Sequence, residues 1–264
     1  MSGTRRSLRI ATRGSAQASR QAELAAAQLS AAAGISVELV FVQTMGDVRQ
    51  DVPLHQIGGQ GVFVKEVQRA VLDGRADLAA HSAKDLPSLP ADGLVIAAFC
   101  ERRSPWDVLV GRSLDGLAIG ATVATGSVRR RAQLAALRPD LRFVELRGNI
   151  QTRLDKVPAD GSIVMAEAAL QILGLEHHVA HRFTLAEMVP QAGQGAVALE
   201  CRAGDDETAG VLALVDHSTT RACVEAERAF LATLGSGCSL PVGAYAERGD
   251  PAGSPIVLHT FVGT

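Results

Sequence analysis

The sequence predicts an α/β protein of two small lobes followed by a third, smaller α+β unit. Three observations carry this. Strand-like and helical runs alternate, which implies parallel βαβ units. The alternation restarts after a polar break, "CERRSPWD", that contains Pro105 as a linker would. Beyond residue 218 the pattern changes to one helix and two strand-like runs.

The elements follow in order. "SLRIATR" reads as a strand running into the helical "GSAQASRQAELAAAQLSAAAG", with Ala22, Ala25, Ala26 and Leu29 on one face. Ser15 stands where an N-cap belongs and Gly34 where the helix stops. "VELVFVQT" is the next strand, and "GVFVKEVQRAVLDG" a helix with Phe63, Val64, Val67, Ala70 and Val71 inward. "ADLAAHSA" and "LVIAAFC" complete the first set of strands. In the second block "AIGATVATG", "LRFVELRG" and "GSIVMAEAA" are strands, each followed by a helical pattern. "EHHVAH" reads as a solvated helix end. A strand, "AVALECRAG", follows "VPQAGQG". The last unit has the helix "TTRACVEAERAFLATL", with Cys223, Ala226, Phe230 and Leu234 on one face, then the strands "PVGAYAE" and "PIVLHTFVG". No repeat of fixed period is visible.

Composition narrows the function classes. A chain of 264 residues suits one large domain or two to three small ones. With 47% hydrophobic and 20% charged residues it belongs with soluble globular proteins. A formal net charge of -2 and 3% aromatics give neither a basic surface nor a stacking platform for nucleic acid. The four cysteines, Cys100, Cys201, Cys223 and Cys238, form no CxxC, and the seven histidines form no HExxH. Both facts argue against a metal site, and the former against a disulfide framework. No run of about 18 apolar residues occurs, and the opening "MSGTRRSLRIATRGS" lacks an apolar signal region. The expectation is a cytoplasmic protein.

Several residues could carry chemistry. "HSAKDLPS" follows a strand, which puts Lys84 and Asp85 at the carboxyl edge where α/β sheets meet ligands. A cation for an anionic substrate beside a carboxylate for proton work is one reading; a solvated loop pair is the other. "TGSVRRR" and "LRGNIQTR" place Arg129, Arg130, Arg147 and Arg153 after strands and at helix openings. Guanidinium forks and helix N-termini both favour anions. Clustering in two such loops points to a polyanionic ligand, and "IATRGS", with Arg13 and Ser15, makes a third loop of this type. No GxxxxGK[ST] is present, so a nucleotide P-loop is disfavoured, and "IGGQG" reads as a mobile loop. Cys238 sits in "LGSGCSLPVG", a glycine-flanked bend that presents a side chain rather than packing it.

Taken together these segments resemble the porphobilinogen deaminase (hydroxymethylbilane synthase) family. The resemblance runs in order through "LRIATRGS", "GDVRQDVPL", "HSAKDLPS", "TGSVRRRAQL", "LRGNIQTRL", "GQGAVALECR" and "ERAFLATLGSGCSLPVGAYA". It implies two periplasmic-binding-protein-like lobes with mixed, mainly parallel sheets and a third domain bearing the cofactor cysteine. The implied boundaries are 1–100 with 196–217 for the first lobe, 101–195 for the second and 218–264 for the third. It implies a dipyrromethane held by a thioether to Cys238. On this primer four porphobilinogen units condense, each losing ammonia, before water releases the linear tetrapyrrole. Asp85 matches the catalytic aspartate, able to balance the cationic methylenepyrrolenine left by ammonia loss. Lys84, Ser127, Arg129 and Arg130 match residues that bind the cofactor's acid arms. Arg13, Ser15, Arg147 and Arg153 match residues lining the substrate cleft. Phe63 matches an aromatic near the mobile loop, and reads equally as a core helix residue. The implied partner is the small molecule porphobilinogen, with no nucleic acid, membrane or metal, and the implied state a monomer.

The chain departs from the family pattern at several places. Ile172 stands where a substrate-binding arginine is usual, and Ala169 where glycine is usual. Gln56 and Gln60 replace common lysines, and Ser236 a glycine or alanine. The third domain reads as incomplete at "VLHTFVGT". Two other readings are an impaired homologue, suggested by Ile172, and a two-lobed binding module. The second leaves Lys84–Asp85 and the Cys238 bend unexplained.

Overall fold

The computed structural model describes residues 7–44, 61, 63–235, 240–249 and 254–263. The first sheet contains β1 (Ser7–Arg13), β2 (Ser36–Val42), β3 (Leu78–Ser82), β4 (Leu94–Phe99) and β10 (Val197–Arg202), in spatial order β2-β1-β3-β10-β4. The second contains β5 (Asp107–Gly111), β6 (Thr122–Ala124), β7 (Arg142–Val144), β8 (Ser162–Ala166) and β9 (Val179–Arg182), in order β7-β6-β8-β5-β9. In each sheet one strand, β10 or β5, runs antiparallel to its two neighbours. The remaining pairs are parallel. This is the expected α/β class with mixed sheets.

Both sheets share one order: second, first, third, crossing, fourth. Each crossing strand is the first strand after the chain changes lobe. That hides the likeness from the sequence, because β10 comes last among the strands of its sheet and β5 first among those of its own.

Helices cover both faces of the first sheet, so strands such as β3 are buried nearly throughout rather than alternately. On one face Leu8, Ile10, Leu78 and Leu199 meet Leu29 of α1 (Ala16–Ala33) and Leu212 of α6 (Asp206–Ala213). On the other, Ala11 and Ala79 meet Val67 and Val71 of α2 (Lys65–Leu72). In the second lobe α3 (Val128–Leu137) packs Leu134 against Leu109, Val123 and Val164. Here α4 (Ile150–Leu154) and α5 (Glu167–Gln171) are single turns. The third unit is α7 (Ser218–Thr233) on a hairpin of β11 (Val242–Arg248) and β12 (Ile256–Val262).

Four expectations change. "CERRSPWD" is not all linker, since Asp107 and the residues after it form the buried strand β5. "EHHVAH" ends in the edge strand β9. Phe63 precedes α2, half-buried, with the Arg13 guanidinium 4.1 Å from its ring centre. The buried stripe of α7 is Thr220, Cys223, Val224 and Glu227, while Leu234 is exposed. A carboxylate anchors that helix, for the reason given below.

The chain crosses between lobes twice, and the crossings are bonded to each other. Cys100 N–H donates to Val197 O (3.0 Å) and Arg103 N–H to Gly195 O (3.0 Å). A Cβ on Gly195 would lie 2.6 Å from the carbonyl oxygens of Arg103 and Ser104, and its φ is +87°. Only glycine meets both demands.

Candidate active site

Lys84 and Asp85 lie where their spacing puts them, in a single 3₁₀ turn (Ala83–Asp85) at the carboxyl end of β3. Asp85 lines a narrow cleft of about 20 Å³ with Arg13, Gln21, Phe63, His81 and Ser82. His81 is buried beneath it, 3.3 Å from Glu200, which also accepts both hydrogen bonds of the Gln68 amide.

In the second lobe Arg129 and Arg130 open α3, as the sequence predicts. Ser127 is the N-cap of this helix, accepting from Arg130 N–H at 3.4 Å. Ser15 is likewise the N-cap of α1, accepting from Ala18 N–H at 3.3 Å. The two arginines are buried, and both reach Asp107 at the start of β5: Arg129 Nη1 at 2.8 Å, Arg130 Nε at 2.8 Å and Nη2 at 2.7 Å. Burial alone would raise the Asp107 carboxyl, but the two guanidinium charges override it and hold it well below the usual carboxylate range. One carboxylate does not satisfy two guanidinium groups. Among the described residues Nε and Nη2 of Arg129 are buried without a hydrogen-bond partner.

Arg147 and Arg153 belong to the next loop. Arg153 departs from expectation, since it sits in the last turn of α4 rather than at its opening. Its Nε donates back to Gly148 O at 2.8 Å, so the guanidinium still folds over the loop. Nη1 of Arg147 is buried with no hydrogen-bond partner among the described residues. Asn149 caps α4 by accepting from Thr152 N–H at 2.9 Å.

Electrostatics tie the two sides together. Burial and the charge of Arg130 push Lys84 down to about 8, against the pull of Asp85 and Asp107. Burial and Arg130 also push Arg153 down to about 10, with Asp85 opposing and Arg147 and Arg13 adding. Six predicted cations, Arg13, Lys84, Arg129, Arg130, Arg147 and Arg153, thus share one field with Asp85 and Asp107. The excess is positive, as a polyanion requires.

Sequence reasoning missed two members. Asp107 lay in the supposed linker. Gln194, fully buried, accepts from Lys84 Nζ at 3.2 Å and donates to Asp107 Oδ1 at 3.1 Å, so one side chain joins the two lobes. Gln191 donates to Lys84 O at 3.0 Å. The paired glutamines of "VPQAGQG" were the available signal. Cys238, Ser236, Gln56, Gln60 and "IGGQ" lie outside the described residues. Ile172 is buried and apolar on the wall of a separate cavity at the hinge. Among the described residues no group of three or more His, Cys, Asp or Glu could hold a metal.

Residues 8–210 match the model of the porphobilinogen deaminase dipyrromethane cofactor binding domain, and residues 221–264 that of the porphobilinogen deaminase C-terminal domain. The chain is 47% identical over 247 residues to porphobilinogen deaminase of Thermobifida fusca (strain YX), spanning 90% of this chain and 76% of that one. It is 45% identical over 250 residues to the enzyme of the same name from Syntrophus aciditrophicus (strain SB), spanning 92% and 82%. Among solved structures it is similar to a TRAP periplasmic solute binding protein from Desulfovibrio salexigens, with TM-score 0.48 and 12% identity over 86% of this chain and 76% of that one. The cationic cleft around Asp85 and the matches along nearly the whole chain lead to one conclusion: the chain belongs to the porphobilinogen deaminase family, transferases of tetrapyrrole biosynthesis that work with a dipyrromethane cofactor.

Proposed function

We propose that this chain condenses four porphobilinogen units, each losing ammonia, and releases hydroxymethylbilane with water, Asp85 acting as the catalytic carboxylate. The observation that carries the assignment is the electrostatic coupling of six cations with Asp85, which lines a narrow cleft beside one of them, Arg13. The residues fit a dipyrromethane bearing acid arms, because buried guanidinium atoms of Arg129 and Arg147 lack hydrogen-bond partners among the described residues and carboxylates would supply them. When bound, that group supplies the pyrrole carbon to which the first unit is added. Cys238 would hold it by a thioether.

The protein's own residues then do three things. Lys84, Arg129 and Arg130, with the helix N-terminus capped by Ser127, bind acid arms and fix the register of the rings. Arg13, Arg147 and Arg153, with Ser15 at the start of α1, line the path of incoming substrate. Asp85 accepts a hydrogen bond from the substrate pyrrole N–H and balances the positive charge that develops as ammonia leaves. Gln194 and Asp107 act through Lys84, Arg129 and Arg130 and are positioning residues.

Sheet membership supports lobe boundaries of 1–100 with 196–217, 101–195 and 218–264. The same reading makes the protein a cytoplasmic monomer acting on a small molecule, without nucleic acid or membrane partners. Its net charge of -2 supports the absence of a nucleic-acid partner. Among the described residues no helix is long and apolar enough to cross a membrane.

Intact-protein mass spectrometry tests the reading. After expression with ample porphobilinogen the mass should exceed the sequence mass by two linked pyrrole units, Ehrlich's reagent should colour the protein, and Cys238→Ser should abolish both signals. A folded wild-type chain with no added mass would overturn the proposal.

A further inference from the structure

A second cavity, of about 200 Å³, opens at the hinge between α1, the end of α5 and the two crossing segments. Two arginines line it. Arg102 is committed elsewhere, donating to Glu227 at 2.6 Å and to Gln194 O at 2.8 Å. Arg103 is exposed and makes no side-chain hydrogen bond or ion pair among the described residues. Its backbone is nonetheless fixed by the bond to Gly195 described above, so the guanidinium swings from a rigid root. The rest of the lining is mixed. Leu24 and Ile172 give an apolar wall, Gln21 and Gln28 give amides, and Glu101 stands exposed at the rim.

This lining has a definite chemistry. An unpaired guanidinium fork selects a carboxylate. An apolar wall beside it suits the face of a small ring, and the amides can serve ring N–H or further acid oxygens. Gln21 also lines the Asp85 cleft, so the two cavities share a wall. Its carbonyl accepts from Ser82 Oγ at 3.1 Å, leaving its N–H groups to be offered.

We infer that the hinge cavity is a second pyrrole-carboxylate subsite, with Arg103 as the specificity-determining residue that grips one acid arm while the ring lies on Ile172. The inference rests on the substrate class proposed above and adds an anchor carried by the hinge rather than by a lobe. A ligand held there touches both lobes and the crossing between them.

The test is a calorimetric titration of the full chain with a porphobilinogen analogue lacking the aminomethyl group, which binds without reacting. Arg103→Leu should weaken binding about tenfold, the effect of losing one charge-assisted hydrogen bond. Arg103→Lys should lose less. Arg103→Leu combined with Ile172→Arg, which restores a guanidinium to the cavity lining, should recover most of the affinity. Equal affinity in wild type and Arg103→Leu would overturn the inference, as would a loss that neither Lys nor the relocated arginine relieves. If wild type gains the two-pyrrole mass while Arg103→Leu binds normally, the subsite fails and the enzymatic reading stands. If no pyrrole mass is gained, the enzymatic reading itself fails.

Discussion

Among the described residues Asp85 is the one carboxylate lining the narrow cleft, and charge rather than shape should decide its role. Asp85→Glu keeps the charge one methylene away and should retain a residual rate. Asp85→Asn can neither balance a cation nor take a proton, and should lose about 10²-fold or more in kcat with little change in substrate affinity. Steady-state kinetics on protein loaded with preassembled tetrapyrrole separates this from a turn-capping role, in which Asn would substitute well. Lys84 gives a second test. Its value is pushed to about 8, so it loses charge as pH rises through that point. Affinity for the acid-bearing analogue should fall between about pH 7 and 9 in wild type and stay flat in Lys84→Met. Stability should move the other way. The folded value lies below the ordinary 10.5, so between about 8 and 10.5 the unfolded chain binds more protons and this group's contribution rises with pH. An affinity profile in wild type as flat as in the variant would remove Lys84 from anion binding.

Short elements place the site. Three side-chain N-caps, Ser15, Ser127 and Asn149, start helices in the three cationic loops, so under the proposed function capping and anion binding would share the same backbone ends. The crossing segments are joined by two backbone hydrogen bonds. Gly195→Ala adds a Cβ 2.6 Å from two carbonyl oxygens at a φ of +87°. It should cost about 1–3 kcal/mol or more, because the strain cannot relax without parting the crossings. Chemical denaturation should show a lower midpoint with an unchanged slope. Wild-type stability in Gly195→Ala would show that the hinge yields more readily than its packing indicates.

Across the whole molecule, two buried side chains of α7 tie the third unit to the hinge, Thr220, whose Oγ1 accepts from Arg102 N–H at 3.0 Å, and Glu227. Glu227 of α7 is fully buried and accepts from Arg102 Nη1 (2.6 Å), Gly193 N–H (2.6 Å) and Ala246 N–H (2.7 Å). Those partners belong to the first crossing, the second crossing and β11. All are donors, so Glu227→Gln must turn an amide N–H₂ toward one of them and leave Arg102 without its counter-charge. Breaking such a buried pair should cost about 3–5 kcal/mol, read as a lower midpoint in chemical unfolding. A stability loss under about 1 kcal/mol would mean that the third unit is held by its other hydrogen bonds and apolar contacts instead.

The amino-acid sequence determined the local facts about this protein: alternating elements, the cap at Ser15, and the cationic loops at strand ends. Each depends on near neighbours in the chain, through periodicity, capping and the carboxyl edge of a parallel sheet. The tertiary structure decided what depends on distant partners. Asp107 reads as a linker residue until β5 is seen to bury it beneath Arg129 and Arg130, 22 and 23 positions on. Gln194 joins residues 110 and 87 positions away, and Glu227 meets an arginine 125 positions back. Burial makes these polar partnerships obligatory, since an unpaired buried charge costs more than the pair returns. No local pattern records which distant group will answer, so the loops were legible in the sequence and the network that aims them was not.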